Sequence, residues 1–470
     1  MEESKQKEDE NLLKEKTKKI SIIEASAYSF HDGFGVRFIT PFALAIGKTN
    51  PNVNAYIGLL TSLPSLIGNL SQLFTIEAIE RFKRKNILTV GVIIQALFWW
   101  SVIFAGSLYF IFNFSSTTAL TLLVLFYTLL VFSGSFVAPV WVSLMKDIVT
   151  DERGGYFGKR NRIAGFFGII ASLIAGWLLD FLSVKDVFIG FSVLFFIAFL
   201  GRFISGLLFA KHYDPPMSFD KSNYFSLYKF MKKIPKSNFG KFTFFVSLFI
   251  LATSIASPFF SVYMLTNLGF SYSKWMSIVI VGSLSSLFFM PTWGRLADKY
   301  GNIRILRITG LMIPAIPLLW ILTPELSPNP LNLFIFIIII ESFSGMLWAG
   351  FNLSSANFIY DAVTRQKTSL CSSYFNILQG IGIFIGAIAG GLISSQDFVF
   401  LGLSPILFVF ALSGIMRFFA YALMISRIKE VRDVKTFSLT NAFSELSEIH
   451  IKPLLDVFNN KIINPKPTPT

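Results

Sequence analysis

The chain has 470 residues, 53% of them hydrophobic and only 14% charged, with 41 Lys and Arg against 27 Asp and Glu for a formal net charge of +14. A soluble chain carries nearer a quarter charged residues, so the composition argues against an ordinary water-soluble protein. One cysteine, Cys371, rules out an internal disulfide and a cysteine metal cluster, and neither a Gly-x-x-x-x-Gly-Lys-Ser/Thr loop nor a His-Glu-x-x-His motif occurs.

The first twenty residues hold six Lys and six acids, with no apolar core and no small-residue cleavage site. Residues 1–23 therefore read as an N-terminal tail, not as a cleaved signal peptide. Twelve apolar blocks follow, over 24–46, 53–78, 87–112, 118–145, 161–182, 187–210, 241–266, 275–297, 303–323, 331–358, 372–394 and 400–427. Each has about 20 residues or more, enough to cross a hydrocarbon core of roughly 30 Å. Between the sixth and seventh lies 211–240, with Pro215, Pro216 and Pro235, a polar linker with room for one short surface helix. The tail 428–470 is polar and ends Asn464-Pro465-Lys466-Pro467-Thr468-Pro469-Thr470. It reads as disordered, although weak apolar periodicity over Ala442–Phe458 would suit a membrane surface. The fold class is thus an all-α membrane protein, with twelve transmembrane helices in two six-helix bundles over 24–210 and 241–427.

If both termini are cytoplasmic, 35 of the 41 Lys and Arg fall in the tails, the even-to-odd loops, the linker and the span ends that adjoin them. External loops hold only Lys48, Lys185 and Lys274, and helices hold Arg37, Arg202 and Arg417. This is the positive-inside pattern, so the basic balance reports topology and not nucleic-acid binding. The expectation is a monomeric, multi-pass protein of the plasma membrane whose large partner is the lipid bilayer. The usage of Ile, Lys and Phe with a single Cys points to an AT-rich microbial genome.

The two halves repeat. Gly294-Arg295-Leu296-Ala297-Asp298-Lys299-Tyr300-Gly301-Asn302-Ile303-Arg304 has a degraded echo in Glu77-Ala78-Ile79-Glu80-Arg81-Phe82-Lys83-Arg84-Lys85-Asn86. Asp298 answers Glu80 at an offset of 218, Asp361 answers Asp147 at 214, and Arg417 answers Arg202 at 215. A duplicated half suggests a site at the repeat interface that can be exposed to either side in turn.

Twelve spans, the duplication and Gly-x-Leu-Ala-Asp-x-x-Gly-x-x-Arg after the eighth span together resemble the major facilitator superfamily, over about residues 24–427. The resemblance implies that Gly294, Asp298, Gly301 and Arg304 form a cytoplasmic gate. Asp298 would cap the start of the fifth helix near Arg160 and Asn161, and Glu80 the start of the eleventh near Cys371–Tyr374, each carboxylate meeting the positive end of a helix dipole. Asp147, Arg153, Arg160, Asp361 and Arg365 would supply the paired charges. The first-half copy departs from the motif, with Ile76 and Lys83 where glycines belong, which puts its tight turn in doubt.

Charges inside a span cost about 2.5–3.5 kcal/mol on insertion scales, so each needs a reason. Asp32 and Arg37 lie in the first span with His31 beside them, and Glu341 lies alone in the tenth. A spacing of five leaves Asp32 and Arg37 roughly 140° apart on a continuous helix, so each is expected to seek partners elsewhere. In the resembled family helices 1, 4, 7 and 10 line the path, which adds Tyr127, Trp348 and Asn352 as lining candidates beside Ser133, Trp141, Thr253, Ser257 and Tyr263. Glu341 is the candidate proton carrier, and Arg37 a candidate for an anionic group of the cargo or else the neutralising partner of Asp32 or Glu341. His31 is either a titrating group or a structural hydrogen-bonder. Arg202 and Arg417 read as snorkelling or bracing residues outside the site.

The resemblance implies a secondary transporter, symporter or antiporter, moving a small organic solute by alternating access without a cofactor, driven by a proton gradient or else by the solute's own gradient. Cargo remains open between an organic anion, an amino-acid-like metabolite and an amphipathic drug. The alternative is a transport-inactive sensor or scaffold on the same fold. An enzyme is disfavoured, because no nucleophile–base cluster or metal set is present.

Overall fold

A computed structural model describes residues 2–150, 153–216, 227–364 and 367–434, and among them every named element is helical. Helix α1 (Glu2–Phe34) breaks at Gly35, passes through a 3-10 turn at Val36–Phe38 and resumes over Ile39–Ile46. In the first half it is followed by α2 (Val53–Ser71, prolonged to Arg81), α3 (Arg84–Phe110), α4 (Ser116–Ile148), α5 (Arg153–Ser183) and α6 (Val187–Phe209). The second half has α7 (Asn238–Val262, prolonged by a π turn to Asn267), α8 (Tyr272–Tyr300), α9 (Asn302–Met312, continued in pieces to Leu326), α10 (Pro330–Ala362), α11 (Thr368–Ser394) and α12 (Pro405–Met424). Eleven of these segments are long and apolar enough to cross a membrane on their own. The first is divided at Gly35, and its second piece has only eight residues.

Polar side chains set the helix starts. Ser115, Asp186, Ser237, Ser271 and Asn329 each accept from a backbone N–H two or three residues on, covering donors that a first helical turn leaves without partners. Helix α5 begins at Arg153, well before the apolar run at 161, because the polar turn ahead of that run is also helical. Apolarity thus reports depth in the membrane, not helix length. In the linker a short helix does form, Leu227–Lys233, and it buries Phe230 against Phe239 and Tyr374. The stretch Ala442–Phe458 lies outside the described residues.

Small residues hold the halves together. Along α2 and α11, Gly58 faces the Ala387 carbonyl, Gly391 the Asn54 carbonyl and Gly380 the Ser65 carbonyl, leaving no room for a Cβ at the first two. The α5–α8 contact is shorter. Gly176 of α5 faces the Tyr272 carbonyl and Met276, whereas Gly165, three turns nearer the start of α5, has nothing within 4 Å of where a Cβ would stand. These two helices therefore part toward the face that carries the 211–240 linker, called here the linker face. Within the second half, Gly382, Gly386 and Gly390 lie against the carbonyls of Ser247, Leu251 and Ile255 on α7, as their spacing of four requires.

At the linker face each half carries a matching knot of charge. Arg84, 2% exposed, donates to Asp147 at 2.6 Å, Asp214 at 3.0 Å, Ser143 and the Pro215 carbonyl. The second half repeats the layout with different chemistry: Asp361 accepts from Asn302 at 2.7 Å, and Arg432 lies 3.1 Å from Asp361. Asp214 caps Lys85 N–H at 3.1 Å, as Glu430 caps Ile303 N–H at 2.9 Å. Gly301 precedes α9 at φ +90, a region that favours glycine. Lys83, in the matching place, sits at φ −60 and ψ 134, so the first-half turn is extended and needs no glycine. Arg84→Ala strands Asp214 and removes the clamp on Asp147. A loss of about 3–5 kcal/mol is expected, read as a lowered melting temperature of the purified protein and partly restored by Arg84→Lys.

Candidate functional site

Between the halves lies a cavity of about 850 Å³, walled by α1, α5, α7, α8, α10 and α12. It reaches Arg160 and Asn161 in the early turns of α5, so it extends toward the linker face where α5 and α8 part. Helix α4, expected in the wall, contributes none of its lining residues. Tyr127 is instead packed in the apolar core, Ser133 donates to the Leu129 carbonyl, and Trp141 lies under the Arg160 guanidinium at 4.5 Å. On α7, Thr253 and Ser257 do line the cavity, while Tyr263 hydrogen-bonds Thr323 at 2.9 Å.

Asp32 and Arg37 pair with each other, Arg37 Nε donating to Asp32 Oδ2 at 3.0 Å, with each side chain about one third exposed on the cavity wall. The expectation that they point apart assumed an unbroken helix. Helix α1 ends at Phe34, and the 3-10 turn that follows brings Arg37 back over Asp32. Gly35 makes this local path possible, because the Trp99 ring occupies the space a Cβ would need. His31 is buried, and its Nδ1 accepts from Trp99 Nε1 at 2.8 Å. An indole can only donate, so the His31 ring proton sits on Nε2. His31 is not on the cavity wall. Trp99→Phe is expected to cost about 1–3 kcal/mol by leaving that nitrogen unpaired, with ligand binding unchanged in a titration on the same sample.

Glu341 and Trp348 of α10 line the cavity, and Asn352, exposed one turn further along, does not. Glu341 sits opposite Gly282 of α8, where a Cβ would stand 3.4 Å from its Oε2. Among the described residues no basic side chain lies within ion-pair distance of it. Trp348 packs edge-on against Phe249 and Phe351. Arg202 and Arg417 do not snorkel: both are buried, and Arg417 is part of the cavity wall.

The side opposite the linker face is sealed by two matching contacts that composition did not suggest. Asp180 at the end of α5 accepts from the Tyr272 and Ser273 N–H groups at 2.8 and 2.9 Å, capping α8 across the half interface. Ser395, at the repeat offset of 215, accepts from Ala55 N–H at 2.9 Å after α11, while Asn54 donates to the Ser394 carbonyl at 2.9 Å. The signal available in the sequence was an acid in the last turn of one span answered by a serine just past the end of its repeat.

Arg160, Asp147 and Asp298 are held within their own halves. Arg160 donates to Glu24 at 3.0 Å and Ser21 at 3.2 Å on α1, and Asp147 pairs with Arg84. Asp298 is 77% exposed with Arg432 at 3.7 Å, so the expected cap on α5 is not made in this structure. Gly294 and Gly301 flank Asp298 along α8 and its end, and Arg304 lies in the first turn of α9. Glu80 closes the prolongation of α2, and Arg153 opens α5. Arg365 lies outside the described residues.

Two repeated helical bundles, joined on one side around a mainly apolar cavity with a few charged groups on its wall, define a multi-pass membrane transporter. The family model described as Major Facilitator Superfamily matches residues 28–387 and again 242–463, and the chain belongs to that family. Its fold is similar to the crystal structure of the nucleoside transporter NupG, with TM-score 0.61, 17% identity, and 87% of this chain and 98% of that one covered. It is also similar to a bacterial homologue of the iron transporter ferroportin in an inward-facing state, with TM-score 0.67, 12% identity, and 87% and 98% covered. A bacterial homologue of the human lysosomal transporter Spinster, inward-facing and occupied, gives TM-score 0.60, 15% identity, and 89% and 97% covered. At these identities the likeness is one of fold alone. No match was found among curated protein sequences.

Proposed function

We propose that the chain is a secondary transporter that moves a small organic solute by alternating access, with a proton carried on Glu341. The observation that carries this reading is a carboxyl group on the wall of the shared cavity with no basic partner among the described residues. Such a group is costly in a membrane unless it has a task, and loading and release of a proton as the cavity changes face is the task that fits. The Asp32–Arg37 pair supplies an acceptor and donors to a polar cargo without adding net charge, and Trp348 supplies an aromatic surface.

In this reading the linker face is cytoplasmic, since the basic residues concentrate there, and the described conformation opens inward. In the opposite conformation Asp298 would cap α5 near Arg160 and Asn161. The contacts made by Asp180 and Ser395 would then separate. Purified protein reconstituted in liposomes, with labelled metabolites offered under an imposed pH gradient, tests the reading. Solute-specific flux above empty vesicles supports it. No flux, together with retained binding of a partner protein, would favour a sensor or scaffold.

A further inference from the structure

Arg417 of α12 is 2% exposed, yet its guanidinium forms part of the cavity wall. Its Nε donates to Ser413 Oγ at 3.1 Å and its Nη2 to the Thr253 carbonyl at 3.4 Å, and both acceptors are neutral. Nη1 has no bond to protein among the described residues, and no carboxylate there lies within ion-pair distance. An arginine does not lose its proton in a protein, so this is a permanent cation.

The repeat supplies the control. Arg202, 215 positions earlier, is also buried, but it is compensated within its own half. Glu24 of α1, which it shares with Arg160, lies 4.0 Å from its Nη1, Gln95 Oε1 accepts at 2.7 Å, and Ser205 at 3.2 Å donates onward to Glu24 at 2.8 Å. Helix α7 takes the place of α1 in the second half, and it has no Asp or Glu between Asn238 and Val262. Nor do α11 and α12. One half thus neutralises its buried arginine with an internal acid, while the other leaves the arginine facing a cavity. The hydroxyls of Thr253, Ser257 and Ser261 stand on the same wall.

We infer that Arg417 is the anion-binding group of the cavity, and that the cargo carries an oxyanion, carboxylate or phosphate, which supplies from outside the charge that Glu24 supplies to Arg202. This rests on the transport reading above. Nη1 and Nη2 offer the planar fork that such a group accepts in two parallel hydrogen bonds. A solute without an anionic group leaves Arg417 uncompensated when the cavity closes, so the arginine selects the class of cargo.

The test is flux in proteoliposomes with two sets of labelled probes: phosphate, succinate, glutamate and lactate against glucose, uridine and choline. An anionic probe is expected to cross. Arg417→Gln should cut its flux by about tenfold or more, and Arg417→Lys by less. Ser413→Asp gives Arg417 an internal acid, as Arg202 has, in exchange for the 2.6 Å bond from Ser413 Oγ to the Ala252 carbonyl, and should abolish anion flux while the protein still folds, read as a retained cooperative melting transition. That variant separates loss of the site from loss of the fold. Flux of a neutral or cationic probe only, unchanged in Arg417→Gln and in Ser413→Asp, would overturn this inference and leave the transport reading intact. Anion flux that survives Ser413→Asp would overturn it as well, whereas silence from every probe would sink both readings together.

Discussion

Glu341→Gln is expected to uncouple transport without stopping it. A gradient of one pH unit stores about 1.4 kcal/mol per proton, which supports about a tenfold solute gradient for one proton per cycle. Wild-type protein in liposomes should therefore build a concentration ratio that follows the imposed pH difference. The glutamine variant keeps the size and hydrogen bonding of the side chain but cannot exchange the proton, so its ratio should settle near one. Solute-for-solute exchange should persist in the variant, because Asp32, Arg37 and Trp348 still line the cavity. A pH-driven ratio that survives in Glu341→Gln would remove Glu341 from the coupling step and leave it a structural charge.

The second large effect is expected at Asp180. Its carboxylate caps α8 with two backbone bonds of 2.8 and 2.9 Å, and in the proposed cycle both break when the far side opens. Loss of an N-terminal cap costs about 0.5–2 kcal/mol, and each 1.4 kcal/mol is a tenfold change in an equilibrium. Asp180→Ala should accordingly shift the protein by roughly two- to thirtyfold toward the form open on the far side. Cysteines placed at Ser261 or Met264, which line the cavity, report this shift. In a Cys371→Ser background they should react faster with an impermeant thiol reagent added on the far side. Equal rates in the presence and absence of Asp180 would mean that the cap does not bias the equilibrium.

Much of the architecture was legible in the chain because the membrane makes depth a matter of composition. Eleven of twelve apolar runs correspond to helices that qualify as spans, and the repeat offsets of 214 to 218 align the two halves. What composition could not supply was direction. A continuous helix would set Asp32 and Arg37 roughly 140° apart, whereas this one ends between them, at a glycine whose missing Cβ leaves room for the Trp99 ring 64 positions on. Arg417 and Arg202 look equivalent in sequence. Only tertiary packing shows that one has Glu24 at hand and the other opens on the cavity. The linker-face knots of Arg84, Asp214, Glu430 and Arg432 escaped notice for a related reason, since basic residues there already had an explanation in topology. The far-side caps were hidden more deeply, because half of that lock is backbone N–H and carries no residue signature.

Alternating access itself is tested most directly by distances across the two faces. Spin labels at Val184 and Leu401 report the far side, and labels at Phe82 and Tyr360 report the linker face; all four positions are well exposed. Pulsed-dipolar measurements in lipid, at acidic and neutral pH and with a transported solute, should give two distance populations at each face. They should move in opposite senses, the far-side pair lengthening as the linker-face pair shortens. Single, unchanging distances at both faces under every condition would contradict the transport cycle and leave a static scaffold in its place.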